Sequence, residues 1–233
     1  MLHWRGEGTT AKIVPFGNMK RDAGANTSVG DMLDTMGVLM KFARNAEIFA
    51  EDEPAEYIYK VVSGAVRICK LMSDGRRQIG AFYLPGDLFG LESDELHDFS
   101  AEAIGDCTIR AVKRAAIFAE AAFQTRMVNQ LWAQTMGHLQ RAQHHILLLG
   151  RKNAQERIAA FLLDMAARLS RTGDMDLPMP RQDIADYLGL TIETVSRTLT
   201  QLERDGLIGI PASRRIVFRN RAALDVMNDS LAA

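Results

Sequence analysis

Residues Arg181 to Glu203, RQDIADYLGLTIETVSRTLTQLE, constrain the fold of this chain more than any other stretch. At helical spacing, Ile184 and Leu188 form one short apolar stripe, and Val195, Leu199 and Leu202 form a second. Gly189 separates them, and glycine enters a left-handed turn without the steric cost that a Cβ brings. Thr191 then stands at an N-cap position, with Glu193 and Thr194 in the first turn of the next helix. Two short helices joined by a glycine-containing turn make a helix-turn-helix. The second helix carries Ile192, Glu193, Ser196 and Arg197 on the face opposite its stripe. Such side chains suit base edges, since arginine grips guanine through two hydrogen bonds and glutamate accepts from the cytosine amine. Serine is short enough to let a helix sink toward a groove floor. An ordinary helical hairpin with a solvated face gives the same local pattern, so the rest of the chain has to discriminate.

The stretch resembles the DNA-binding motif of the CRP/FNR family of bacterial transcription regulators. The likeness rests on the Arg-x-(Asp/Glu)-Ile start at Arg181, the turn at Gly189, and Glu193-Thr194-Val195-Ser196-Arg197. Family members that read TGTGA-type half-sites tend to have glycine where this chain has Ser196 and arginine where it has Ile192. The Glu-x-x-Ser-Arg arrangement is similar instead to the FNR and FixK branches, which read TTGA-type half-sites. The resemblance implies base contacts from Ile192, Glu193, Ser196 and Arg197. It implies phosphate contacts from Lys152, Arg181, Thr191, Thr194, Ser213, Arg214 and Arg215. Asp183 is then an acidic neighbour of the DNA, favourable for its own helix N-terminus and unfavourable for a nearby phosphate.

The 233 residues suffice for one large or two modest domains. A hydrophobic content of 47% and a charged content of 24% describe a globular chain. No stretch approaches the roughly 18 consecutive apolar residues of a membrane helix. MLHWRGEGTTAK lacks the apolar core of a secretory signal, so a cytoplasmic location is expected. A net charge of −1 gives no global field for nucleic acid, and any phosphate-binding surface has to be a local patch. Arg181, Arg197, Arg214, Arg215, Arg219 and Arg221 can supply one.

Taken in order, residues 1–28 hold scattered Gly, Pro and Ser without a period and read as a loosely docked tail. From Gly30 to Asn45, Met32, Leu33, Met36, Leu39 and Met40 follow a helical pattern. From Ala46 to about Lys113 the period becomes two, with turns at Ser63-Gly64, Ser73-Asp74-Gly75 and Pro85-Gly86-Asp87. Many short strands with regular turns predict an antiparallel sandwich or jelly roll. That ordering resembles the cyclic-nucleotide-binding-like sensor domain of the same family.

From about Ala115 the helical period returns, and Val128, Trp132, Thr135, Leu139, Ala142, Ile146 and Leu149 alternate steps of four and three. This is a heptad seam, and polar residues on the other faces favour a coiled coil between two subunits over a single buried helix. It matches the family's dimerisation helix. Gly150-Arg151-Lys152-Asn153 interrupts the seam, and a new amphipathic helix begins at Glu156. Leu207 to Ile210 and Ile216 to Phe218 flank a basic tip and read as a two-stranded wing. The expected organisation is α+β. A tail (1–28) precedes a β-roll effector-like domain (29–122), a dimerisation helix (123–150) and a winged helix-turn-helix domain (151–233).

Other chemistry is argued against. A metal-dependent enzyme on a sheet sandwich needs several His and carboxylate ligands converging, and the strand region holds only His97. The family's cyclic-phosphate cassette contains an Arg-Ser pair, whereas Phe89 to Ser100 has no arginine and carries Glu92, Asp94, Glu95 and Asp98. Residues 1–45 contain no cysteine for an iron–sulfur cluster. Cys69, Cys107 and His97 read as packed side chains, so no cofactor is expected. The chain is thus expected to be a non-enzymatic, homodimeric activator that binds double-stranded DNA without an effector. The alternative is a ligand- or redox-gated regulator with an unrecognised site in the β-roll. By family analogy the hairpin tip Asp74, Arg76 and Arg77 touches RNA polymerase, although a solvated turn would look the same.

Overall fold

A computed structural model describes residues 28–92, 94–121, 125–169 and 174–229, so the tail up to residue 27 lies outside the described residues. The chain forms two bodies. The first gathers the described residues up to Cys69 with Phe82–His138, and the second gathers Lys70–Ala81 with the residues from Leu139 on.

The first body begins with α1 (Val29–Met36), which opens on a capping box between Ser28 and Asp31. The helical pattern expected as far as Asn45 stops there. A Cβ at Gly37 would lie 2.3 Å from the Leu33 carbonyl oxygen, and the chain continues as β1 (Val38–Phe42). Leu39 and Met40 therefore sit in a strand. Then follow β2 (Glu47–Phe49), β3 (Tyr57–Ser63), β4 (Val66–Leu71), β5 (Arg77–Tyr83), β6 (Leu88–Phe89), β7 (Ser100–Ala103) and β8 (Cys107–Lys113). They make two four-stranded sheets with orders β1-β8-β3-β6 and β2-β7-β4-β5. Pairing is antiparallel, with Val38 opposite Ala111 and Tyr59 opposite both Ala111 and Phe89. The turn at Gly64 has φ +81°, and a Cβ there would meet the Asp106 carbonyl oxygen at 2.5 Å, which makes glycine obligatory.

Against β3, β6 and β8 pack α1, α2 (Arg114–Ala121) and the start of α3 (Thr125–Arg151), burying Val29, Met32, Leu33, Ile58, Leu88, Val112, Ile117 and Met127. Each such side chain contributes about 1.5–3 kcal/mol. Helix α3 runs through Gly150 to Arg151, so the break lies at Lys152-Asn153. Asn153 then caps α4 (Ala154–Leu169), its Oδ1 accepting from the N–H groups of Gln155 and Glu156 at 3.0 and 3.1 Å.

The second body holds Lys70–Ala81, which includes most of β5, with the last turns of α3, α4, β9 (Asp174–Asp176), α5 (Arg181–Leu188), α6 (Ile192–Arg204), β10 (Ile208–Ala212), β11 (Arg215–Phe218) and α7 (Arg221–Asp229). The expected two-stranded wing has a third strand, in the order β10-β11-β9. Three-residue β9 is too short for a period of two to be seen, and Ile216 opposite Met175 seals it against the core.

Candidate nucleic-acid interface

The candidate surface is built from α5 and α6. Gly189 ends α5 in the left-handed conformation (φ 61°, ψ 40°), and its N–H donates to the Ala185 carbonyl. Thr191 caps α6: its Oγ1 accepts from the Thr194 N–H at 3.2 Å. Ile184, Ala185 and Leu188 of α5 and Val195, Leu199 and Leu202 of α6 are buried. That burial fixes the rotation of α6, leaving Ile192, Glu193 and Arg197 exposed and Ser196 half-buried on the outer face. The Glu193 carboxyl is held below its ordinary range by its own backbone N–H, by the Thr191 hydroxyl and by the charge of Arg197. It is an anion at neutral pH, able to accept a hydrogen bond and unable to donate one.

Around this face, Arg181 is half-buried at the start of α5, and Ser213, Arg214 and Arg215 are exposed at the wing tip. Arg214 donates to the Pro178 carbonyl at 3.2 Å, and Arg215 lies 3.6 Å from Asp174. Both pairs are at the surface and leave the arginines available to anions.

Three side chains differ from their expected roles. Lys152, assigned to a phosphate, is only 6% exposed, and its ammonium donates to the Asn228 carbonyl at 2.6 Å and to Asn228 Oδ1 at 2.5 Å. Asp183, assigned to the DNA surface, is 1% exposed and lies 2.6 Å from Arg77. Arg77, assigned to polymerase, therefore turns toward α5 and also holds Asp186 at 2.8 Å. Of the hairpin tip, Asp74 and Arg76 remain outward, paired with each other at 2.6 Å.

Arg157 is a positioning residue that sequence reading passed over. It donates to the carbonyls of Lys152, Leu149 and Leu188 at 2.8, 2.8 and 2.9 Å, tying the end of α3 to the end of α5. A cation beside carbonyls left unsatisfied at helix C-termini is favourable. His145 stacks on Tyr187 with ring centroids 3.9 Å apart, and its Nε2 lies 2.7 Å from the Tyr187 carbonyl.

On α3, Val128, Trp132, Leu139 and Ile146 are 47–68% exposed within one chain, with Thr135 and Ala142 also exposed and Leu149 half-buried. A heptad-spaced apolar stripe left uncovered on a protomer is a surface in want of a partner.

In the first body, the run after Phe89 is pinned by Arg114, which donates to the carbonyls of Glu92, Asp94 and Ala55. His97 is 1% exposed, stacks on Phe49 at 3.6 Å, and has Nδ1 3.4 Å from Glu92 Oε1. A cation thus does serve this acidic run, but it arrives from α2 and binds backbone oxygens.

Comparisons with known proteins agree with this geometry. Residues 39–123 match the family described as "Cyclic nucleotide-binding domain", and residues 156–227 match "Crp-like helix-turn-helix domain". "Nitrogen fixation regulation protein FixK" of Azorhizobium caulinodans is 53% identical over 216 residues, covering 90% of this chain and 87% of the relative. "Transcriptional activatory protein AadR" of Rhodopseudomonas palustris is 43% identical over 175 residues, 73% of each chain. The solved structure of FixK2 from Bradyrhizobium japonicum superposes with a TM-score of 0.80 at 54% identity, covering 82% of this chain and 97% of that one.

Proposed function

Since this chain belongs to the CRP/FNR family of transcription regulators, we propose that it is a homodimeric activator that binds a TTGA-type inverted repeat without an effector. The observation that carries the reading is the outer face of α6, where Thr191 caps the helix beneath Ile192, Glu193, Ser196 and Arg197. Arg197 donates to guanine, Glu193 accepts from the cytosine amine, and Ile192 and Ser196 set the depth of entry. Arg181, Thr191, Thr194, Ser213, Arg214 and Arg215 contact phosphates and set the register. Two protomers joined along the α3 stripe present two such helices about one helical turn apart, hence the two-fold symmetric site. The exposed tip Asp74-Arg76 is the proposed polymerase contact. Effector independence draws support from the run after Phe89, where the Arg114 guanidinium is already engaged by the backbone carbonyls of Glu92 and Asp94.

A second reading, a ligand-gated regulator, draws on four buried polar atoms of the first body. Tyr57 Oη, Glu92 Oε2 and both ring nitrogens of His97 have no hydrogen-bond partner among the described residues. Selection from random duplexes by purified protein, with no small molecule added, separates the two. The first reading predicts enrichment of TTGA-type inverted repeats. Enrichment that requires a cell extract or an added metabolite would favour the second.

A further inference from the structure

Arg77 opens β5 in the segment Lys70–Ala81, which belongs to the second body together with α5 and α6. The tip before it is tightly closed. Met72 N–H donates to the Arg76 carbonyl at 2.7 Å, Gly75 N–H donates to the Met72 carbonyl at 2.9 Å, and Asp74 accepts from the Arg76 N–H at 3.0 Å. From that fixed base the Arg77 guanidinium reaches two carboxylates of α5. Its Nη2 donates to Asp183 Oδ1 at 2.6 Å, and its Nε donates to Asp186 Oδ2 at 2.9 Å. Asp183 and Asp186 are three residues apart and so share one face of the helix. One planar fork bound to both determines where α5 sits along its axis and how it is rotated, which a point charge cannot do. Gln78 adds a second strut, its Nε2 lying 3.3 Å from the Tyr187 carbonyl.

Pro180 at the N-cap of α5 supplies no side-chain hydrogen bond. Through the Gly189 turn α5 leads directly into the first turn of α6, where the base-contacting side chains stand. A displacement of α5 is therefore a displacement of Glu193 and Arg197.

We propose that Arg77 is a positioning residue for DNA reading: its two-carboxylate clamp holds α5, and through it α6, in the orientation that reads bases, with no ligand required. This rests on the assignment of α6 as the reading helix. A purely structural role would consist only of compensating the buried Asp183 charge, and the test separates the two. Arg77→Met removes the clamp and leaves the carboxylates uncompensated. Arg77→Met with Asp183→Asn and Asp186→Asn removes clamp and charges together, and Arg77→Lys keeps a charge but not the fork. For each purified dimer, thermal unfolding and the ratio of specific to random-duplex affinity are measured at one salt concentration. The ratio cancels the change in net charge. The clamp predicts that Arg77→Met lowers the ratio by about tenfold or more, comparable to losing a base contact. The triple variant regains the wild-type unfolding temperature without regaining the ratio, and Arg77→Lys falls between. A triple variant that discriminates like wild type, or Arg77→Met with an unchanged ratio, overturns the proposal. Failure of the wild type itself to discriminate would strike the underlying assignment instead.

Discussion

The exposed stripe on α3 yields a quantitative prediction for Leu139→Glu combined with Ile146→Glu. Full burial of a leucine or isoleucine is worth about 1.5–3 kcal/mol. Within one protomer Leu139 is 47% and Ile146 68% exposed, so a partner can still supply about half of that, roughly 1 kcal/mol for each. Two positions on two protomers come to about 4 kcal/mol, or about a thousandfold in the dimer dissociation constant. The four carboxylates brought into the seam add several kcal/mol each unless they find partners. The double variant is expected to be monomeric at micromolar concentration by sedimentation velocity. Its circular dichroism should be unchanged, because both side chains are exposed on the protomer. Specific DNA binding should fall with the dimer. A folded double variant that remains dimeric would place the subunit contact away from the α3 stripe.

Arg197→Ala should weaken specific binding by about 1–3 kcal/mol per half-site and relax the guanine preference, whereas equal losses on specific and random duplexes would make Arg197 a phosphate contact. Glu193→Ala should loosen discrimination more than affinity, since it removes a selective acceptor together with a negative charge. Arg76→Ala should leave DNA occupancy intact and lower transcription in a purified system; transcription that keeps pace with occupancy would reduce the tip to a turn. His145 is held below the ordinary imidazole value by burial and, to a smaller extent, by neighbouring His144. Because the unfolded chain takes up that proton first as pH falls, its stabilising contribution is complete above about pH 6.5 and is lost below it. Denaturant unfolding at pH 7.5 and 5.5 should show a smaller acid loss in His145→Gln, and an equal loss in both proteins would remove His145 from the account.

What the sequence made legible was local. Gly189 and Thr191 announce their conformations because a left-handed cap and an N-cap depend on one residue and its immediate neighbours. The roles of charged side chains were less legible, because their partners are remote. Arg77 meets Asp183 across 106 residues and Lys152 meets Asn228 across 76, and no spacing rule connects such pairs. Adjacent arginines at a turn tip read as an outward polymerase contact or a solvated turn, whereas Arg77 is bound by two carboxylates. Leu39 and Met40 fitted a helix as well as a strand. Their pairing with Arg110 and Ile109 of β8, far along the chain, decided the matter. Gly37 was the readable clue, since a side chain there would strike the Leu33 carbonyl.

Effector-free, sequence-specific reading by α6 is tested most directly by an equilibrium titration of ligand-free dimer. One duplex carries a TTGA-type inverted repeat, and a second has both half-sites scrambled, at the same length and salt. Such reading predicts that the repeat is bound about a thousandfold or more tighter than the scrambled duplex, the lower range for specific recognition. Equal affinity for the two duplexes, in protein shown to be folded and dimeric, would contradict it.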